Sequence, residues 1–157
     1  MTAREGGVAL TPLSGRMGQV LVGAEPVVTH RSDLPRGSVV VENTSEWPVV
    51  VTSHFHFFEA NRKLSFDRGA AFGMHLDVLA GASARFDPGE VRAVLLVGYA
   101  GERSLHGFNG LTNTVLPDPS TDPEGFGTRR REALVRAHAA GFLDTTHPGE
   151  SPTPSLP

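Results

Sequence analysis

The chain contains no cysteine. That absence excludes a disulfide scaffold, a thiolate zinc site, an iron–sulfur cluster and a cysteine nucleophile, and it fits a reducing cytosol. Lysine is almost as scarce, with Lys63 standing alone, and the formal net charge of the 157 residues is −3. No basic stripe is present to follow a phosphate backbone, so no nucleic-acid partner is expected. No run approaches the roughly 18 apolar residues needed to cross a membrane. The opening MTAREGGVALTPLSGRMG also lacks the apolar stretch of a secretory signal. The expectation left by these absences is a cytoplasmic, Gly- and Pro-rich globular protein without a membrane partner.

Three zones are then visible. Residues 1–18 are polar and Gly-rich and read as a flexible lead-in. Residues 19–116 carry short β-branched segments divided by turn residues. Residues 117–157 combine a Pro/Asp/Ser linker, a short helical pattern and a Pro-rich end. In the middle zone strands are expected over residues 19–22, 37–42, 49–59, 76–78, 83–86 and 91–98. Asn43 to Pro48 is a turn cluster, and Asp87-Pro88-Gly89-Glu90 is a reversal, with Pro and Gly supplying its dihedrals. Residues 67–73 (DRGAAFG) suit a helical turn. Many short strands at this spacing predict an all-β sandwich or barrel rather than βαβ units. In the tail, residues 128–142 place Leu134, Ala137 and Phe142 at helical spacing with arginines opposite. So short a helix is marginal alone and is expected to dock, through Leu134 and Phe142, on a partner or a neighbouring copy.

The densest chemical signal is Ser53-His54-Phe55-His56-Phe57-Phe58-Glu59. On an unbroken strand His54 and His56 share a face, and two imidazoles so placed can hold a metal ion. A cupin-like site of His54, His56 and Glu59 is the sharp hypothesis. Strand parity opposes it, because Glu59 would point to the other face from His56. The glycines and later histidine of a cupin are also missing: position 48 is Pro, and no histidine follows Pro88-Gly89 until His106. Asp67, in the Asp67-Arg68 dipeptide, and Asp77 are candidates for modest ion pairs with Arg62 or Arg85. Gly107-Phe108-Asn109-Gly110 precedes no helix and does not suit a phosphate cradle, and Ser53 and Ser104 lack a nucleophile elbow. From the residues alone, this is an all-β domain without a convincing active site.

Read together, the motifs between residues 40 and 111 resemble the urease beta subunit family. The resemblance is carried by Val41-Glu42-Asn43-Thr44 and by Ser53-His54-Phe55-His56-Phe57-Phe58-Glu59-Ala60-Asn61. It continues through Leu64-Ser65-Phe66-Asp67-Arg68, Ala70-Ala71-Phe72-Gly73, Arg85-Phe86-Asp87-Pro88-Gly89-Glu90 and Gly107-Phe108-Asn109-Gly110-Leu111. It implies a bent, jelly-roll-like ribbon or incomplete barrel (a β-clip), to which the helical period of the tail adds a short C-terminal helix on an extension. It also implies a non-catalytic assembly subunit that joins urease alpha and gamma subunits in a trimer of heterotrimers and helps accessory maturation proteins to dock.

Under that resemblance urea is hydrolysed to ammonia and carbamate at two nickel ions in the alpha subunit, and no cofactor or metal ligand falls on this chain. The signature residues Ser53, His54, His56, Phe57, Phe58, Glu59, Asn61, Asp67, Arg68, Gly107, Phe108, Asn109 and Gly110 are then structural or interfacial. Some positions depart from the family pattern. Arg16-Met17-Gly18-Gln19 stands where Pro-Gly-Glu is usual, Thr52 stands for Gly and Leu79 for Pro, and the chain runs on well past Gly110. These departures leave open a urease-like amidohydrolase of another urea or guanidine compound.

Overall fold

A computed structural model describes residues 33–146, so the expected lead-in, the strand at 19–22 and the Pro-rich end lie outside the described residues. The elements are β1 (Arg36–Asn43), β2 (Val49–Thr52), a 3-10 turn (Phe57–Glu59), β3 (Leu64–Ser65), α1 (Arg68–Ala71) and β4 (Met74–Leu76). β5 (Ser83–Phe86), β6 (Val91–Gly98), β7 (Ser104–Leu105), β8 (Thr114–Val115) and α2 (Pro123–Ala139) follow. Among the described residues the fold is all-β with one long helix.

A four-stranded antiparallel sheet has the order β3-β1-β6-β4, and β2 pairs with β5 in a second, smaller sheet. Alternation along the strands sends Val39 and Val41 of β1, and Val94 and Leu96 of β6, to the inside. Val49 and Val51 of β2 and Ala84 and Phe86 of β5 enter the same core from the smaller sheet. The two sheets therefore curl around one apolar interior. Phe57, Phe58, Phe66 and Phe86 are all fully buried, each stabilising the fold by roughly 1.5–3 kcal/mol. Asn43 ties the turn after β1 to β5, its amide donating to the carbonyls of Trp47 and Phe86.

β5 and β6 fall at the expected strands 83–86 and 91–98 on either side of the Pro-Gly turn, and residues 67–73 give the expected helical turn, capped by Asp67. The run 49–59 is not one strand. It leaves the sheet after Thr52, where the Phe55 N–H closes back on the Thr52 carbonyl, and tightens into the 3-10 turn. That turn delivers Phe57 to the core between the sheets and Phe58 to a second apolar cluster.

The tail helix begins five residues earlier than its apolar period suggests, because Asp122 caps it through the Gly125 N–H and Pro123 pre-sets its first turn. It ends at Ala139, and beyond it Gly141, at a φ of +74°, lets the Phe142 N–H return to the Ala137 carbonyl. The helix docks within its own chain, through the residues expected to meet a partner or a neighbouring copy. Ala133 and Ala137 are fully buried in this chain's own second cluster, with Phe58, Phe72, Leu111 and Leu116, while Phe126, Leu134 and Phe142 pack at its margin.

Candidate functional site

The 3-10 turn decides the geometry around the histidines. Side chains three residues apart eclipse in such a turn, so His56 and Glu59 meet, with Nδ1 to Oε1 at 3.0 Å. The strand-parity expectation that set Glu59 opposite His56 is thereby corrected. The pair is closed off from solvent, at 0% and 1% side-chain exposure. Glu59 Oε2 accepts the Leu111 N–H at 2.9 Å, and the Glu59 carbonyl accepts the Asn109 amide at 2.7 Å. The loop supplying these donors turns on Gly107 and Gly110, both at positive φ.

His56 Nε2 accepts the Gly73 N–H at 2.9 Å, which requires its lone pair. The ring proton is therefore on Nδ1, facing Glu59, and the imidazole is neutral. Burial pushes the His56 pKa below its ordinary 6.5, and Glu59 only partly offsets that. Burial alone would raise the Glu59 carboxyl, but hydrogen bonds from His56, Leu111 and Thr112 outweigh it and hold the group below its usual value. The result is a buried carboxylate beside a neutral imidazole.

A histidine–carboxylate pair becomes a general base when the far nitrogen faces a substrate. Here that nitrogen is filled by a backbone amide. The same occupancy leaves no lone pair for a metal, and His54 lies exposed while His56 is buried, so the two rings share no face. Among the described residues no group of three His, Cys, Asp or Glu side chains is placed to hold a metal ion. The cupin-like set of His54, His56 and Glu59 does not assemble, and this donor set does not fit nickel.

Arg68 is the second buried centre. It is 0% exposed, and each of its guanidinium nitrogens donates to carbonyls: Nε to Leu143 (2.7 Å), Nη1 to Phe58 and Ala60 (2.6 and 3.1 Å), Nη2 to Asn61 and Leu64 (3.2 and 2.8 Å). Phe66 and Phe142 lie against the guanidinium, 4.4 and 4.9 Å from centroid to Cζ. Burial lowers its pKa to about 10, with the nearby Asp144 charge opposing. Asp144 is itself buried, held by the Thr146 N–H and hydroxyl and by His138. The ion-pair expectation is corrected: Arg68 is caged, Asp77 pairs with Arg36, and Arg85 pairs with Asp87. Sequence reasoning missed Leu143 and Asp144, whose surroundings in the chain carry no pattern pointing to a site.

The remaining signature residues surround these centres. Ser53 Oγ accepts the Gly81 N–H, Asn61 Oδ1 accepts the Lys63 N–H, and the Gly107 N–H donates to Asn113. Phe108 stacks edge-on against Phe55 at 5.0 Å, and the His54 carbonyl accepts the Tyr99 hydroxyl.

Comparison with known proteins places the sequence in a family. The profile of the family described as urease beta subunit matches residues 17–115. Urease subunit beta of Haloarcula marismortui is 44% identical over 128 residues, covering 82% of this chain and 85% of that protein. Urease subunit beta 2 of Brucella abortus is 40% identical over 126 residues, covering 80% and 77%. Urease subunit gamma/beta of Pseudomonas syringae pv. tomato is 50% identical over 100 residues, covering 64% of this chain and 40% of the relative. The chain spans 40% and 44% of the length of the gamma/beta relatives in two pathovars of Pseudomonas syringae, and 57% of the one in Streptomyces avermitilis. With a profile match across most of the β region and relatives matched over four-fifths of its length, the chain belongs to the urease beta subunit family.

Proposed function

We propose that this chain is a non-catalytic structural and assembly subunit of a cytoplasmic urease, a hydrolase of the C–N bonds of linear amides. One observation carries the reading: the buried polar side chains of the signature are spent on holding the fold. His56 uses both ring nitrogens internally and Arg68 uses every guanidinium nitrogen on backbone carbonyls. Neither can bind or activate a substrate. The chemistry, urea and water to ammonia and carbamate, then falls to an alpha subunit holding two nickel ions, with a gamma subunit completing a trimer of heterotrimers. Exposed signature residues such as His54, Asn61 and Asn109 are the ones available to partners, accessory maturation proteins included.

Co-expression with alpha and gamma chains, followed by sizing and nickel analysis, tests this. The expected product is a large urea-hydrolysing complex whose nickel stays with the alpha chain, while the isolated chain hydrolyses no urea. A 16.7 kDa monomer that ignores both partners would overturn the proposal.

A further inference from the structure

Among the described residues β2 is paired on one side only, to β5. The register sets Val49 opposite Phe86 and Val51 opposite Ala84, and it continues to Ser53, whose N–H donates to the Ala82 carbonyl at 2.8 Å. Antiparallel ladders alternate, so residues 49, 51 and 53 turn their amides to β5, and Val50 and Thr52 turn theirs outward. The same alternation sends the Arg85 carbonyl away from β2, where it accepts from Arg92. Outside β2 the Thr52 carbonyl is taken by the Phe55 N–H. The Val50 N–H and carbonyl and the Thr52 N–H have no partner among the described residues.

A cleft of about 620 Å³ runs along this edge, lined by Val50, Phe55, Asn61, Arg62, Asn109 and Phe142. It continues into a second of about 580 Å³ that shares Asn61 and Arg62 and adds Trp47 and Lys63, with Glu46 in its lining. Val50 is 54% exposed and Trp47 75%. Arg62 and Lys63 form no ion pair among the described residues, so the wall carries two unanswered positive charges. A bare strand edge beside a cleft with apolar hollows and a basic wall has the chemistry of a β-augmentation site.

We propose that the β2 edge receives an extended segment of a urease partner subunit. The segment adds to β2 as a further strand, sets a carboxylate against Arg62 and Lys63, and seats an apolar side chain between Phe55 and Phe142. The inference rests on the assembly role proposed above.

The test uses the full chain, alone and in complex with co-expressed alpha and gamma chains. Amide exchange over residues 49–55 is expected to slow at least tenfold in the complex. Val50→Pro, which removes an outward N–H and spares the β5 ladder, and Arg62→Glu are each expected to weaken association tenfold or more. If Val50→Pro fails to fold, Arg62→Glu and the exchange measurement still decide. Unslowed exchange, with both variants assembling at wild-type affinity, overturns the docking site and leaves the assembly role standing. A wild-type chain that never associates removes both. Protection that arises in the chain alone as its concentration rises assigns the edge to a second copy and overturns the proposal.

Discussion

Glu59 and Arg68 each carry a charge into the interior, at 1% and 0% exposure, and they are held by different means. Glu59 is answered locally: His56 lies three residues away and the remaining donors come from one loop. Arg68 has no carboxylate among its hydrogen-bond partners; its cage is five carbonyls, one of which, Leu143, lies 75 residues further on. The Asp144 charge that helps to offset its burial also comes from that distant segment. The first centre shapes a turn; the second fastens the C-terminal extension to the β domain. Leu143 donates to the Arg62 carbonyl, Thr145 donates to the Phe66 carbonyl, and Asp144 forms a parallel bridge with Phe66.

Arg68→Ala presses hardest on this difference. It leaves five carbonyls without their donor and loosens the extension as well, so a loss of about 4 kcal/mol is expected in urea unfolding. Against a typical total of roughly 5–15 kcal/mol this is close to unfolding the domain. Arg68→Met, which restores volume and not donors, should recover little of that loss. Full recovery would show that Arg68 acts by packing and that the carbonyl cage is incidental.

Glu59→Gln tests the local centre. Glutamine keeps one acceptor oxygen where the carboxylate has two, so either the Leu111 N–H or the His56 Nδ1–H loses its partner, and the expected cost is about 2–3 kcal/mol. The extension should remain docked, with amide protection of Leu143 and Thr145 unchanged. If Glu59→Gln released the extension as Arg68→Ala does, the two centres would be a single unit.

Acid separates the centres through protonation. The His56 pKa is lowered in the folded state, so the unfolded chain binds more protons as pH falls below 6.5. Stability is therefore full above that value and declines as pH falls through it. Glu59 has a lowered pKa too, so its contribution is complete above 4.5 and is lost below. Both signs agree: the chain should lose stability on acidification, beginning near the ordinary histidine range. His56→Gln should remove the upper part of that decline. A pH profile identical in the variant would mean that His56 does not titrate on unfolding.

The sheet was largely legible in sequence because its signals are local: β5 and β6 are short runs on either side of a Pro-Gly turn. Residues 49–59 misled for a physical reason. β-branched and aromatic residues fit a pleated surface, and nothing in their composition says that Phe57 and Phe58 are wanted in two different cores. Once parity was assumed, His56 and Glu59 were placed apart, so the members of the site were named and its connection missed. Arg68 was hidden differently, since its closing partners come from a tail that reads as an appendage. The two-χ-angle aromatics Phe126 and Phe142 bind that tail to the domain at both ends of α2.

The smallest expected effect concerns how the extension begins. Asp122 accepts the Gly125 N–H and starts α2 at a point where Pro123 forbids a preceding turn of helix. Asp122→Ala should cost about 1 kcal/mol, the usual worth of an N-cap. The cost should appear as fraying of residues 123–127, because Ala133, Ala137 and the Arg68 cage still hold the other end of the helix. Hydrogen exchange resolves the two ends directly. Fraying confined to the first turn means that the extension is fastened from its far end, at Leu143 and Asp144. Loss of protection along the whole of α2 would mean instead that the cap and the cage form one cooperative clasp, and the local and distant centres would differ in span alone.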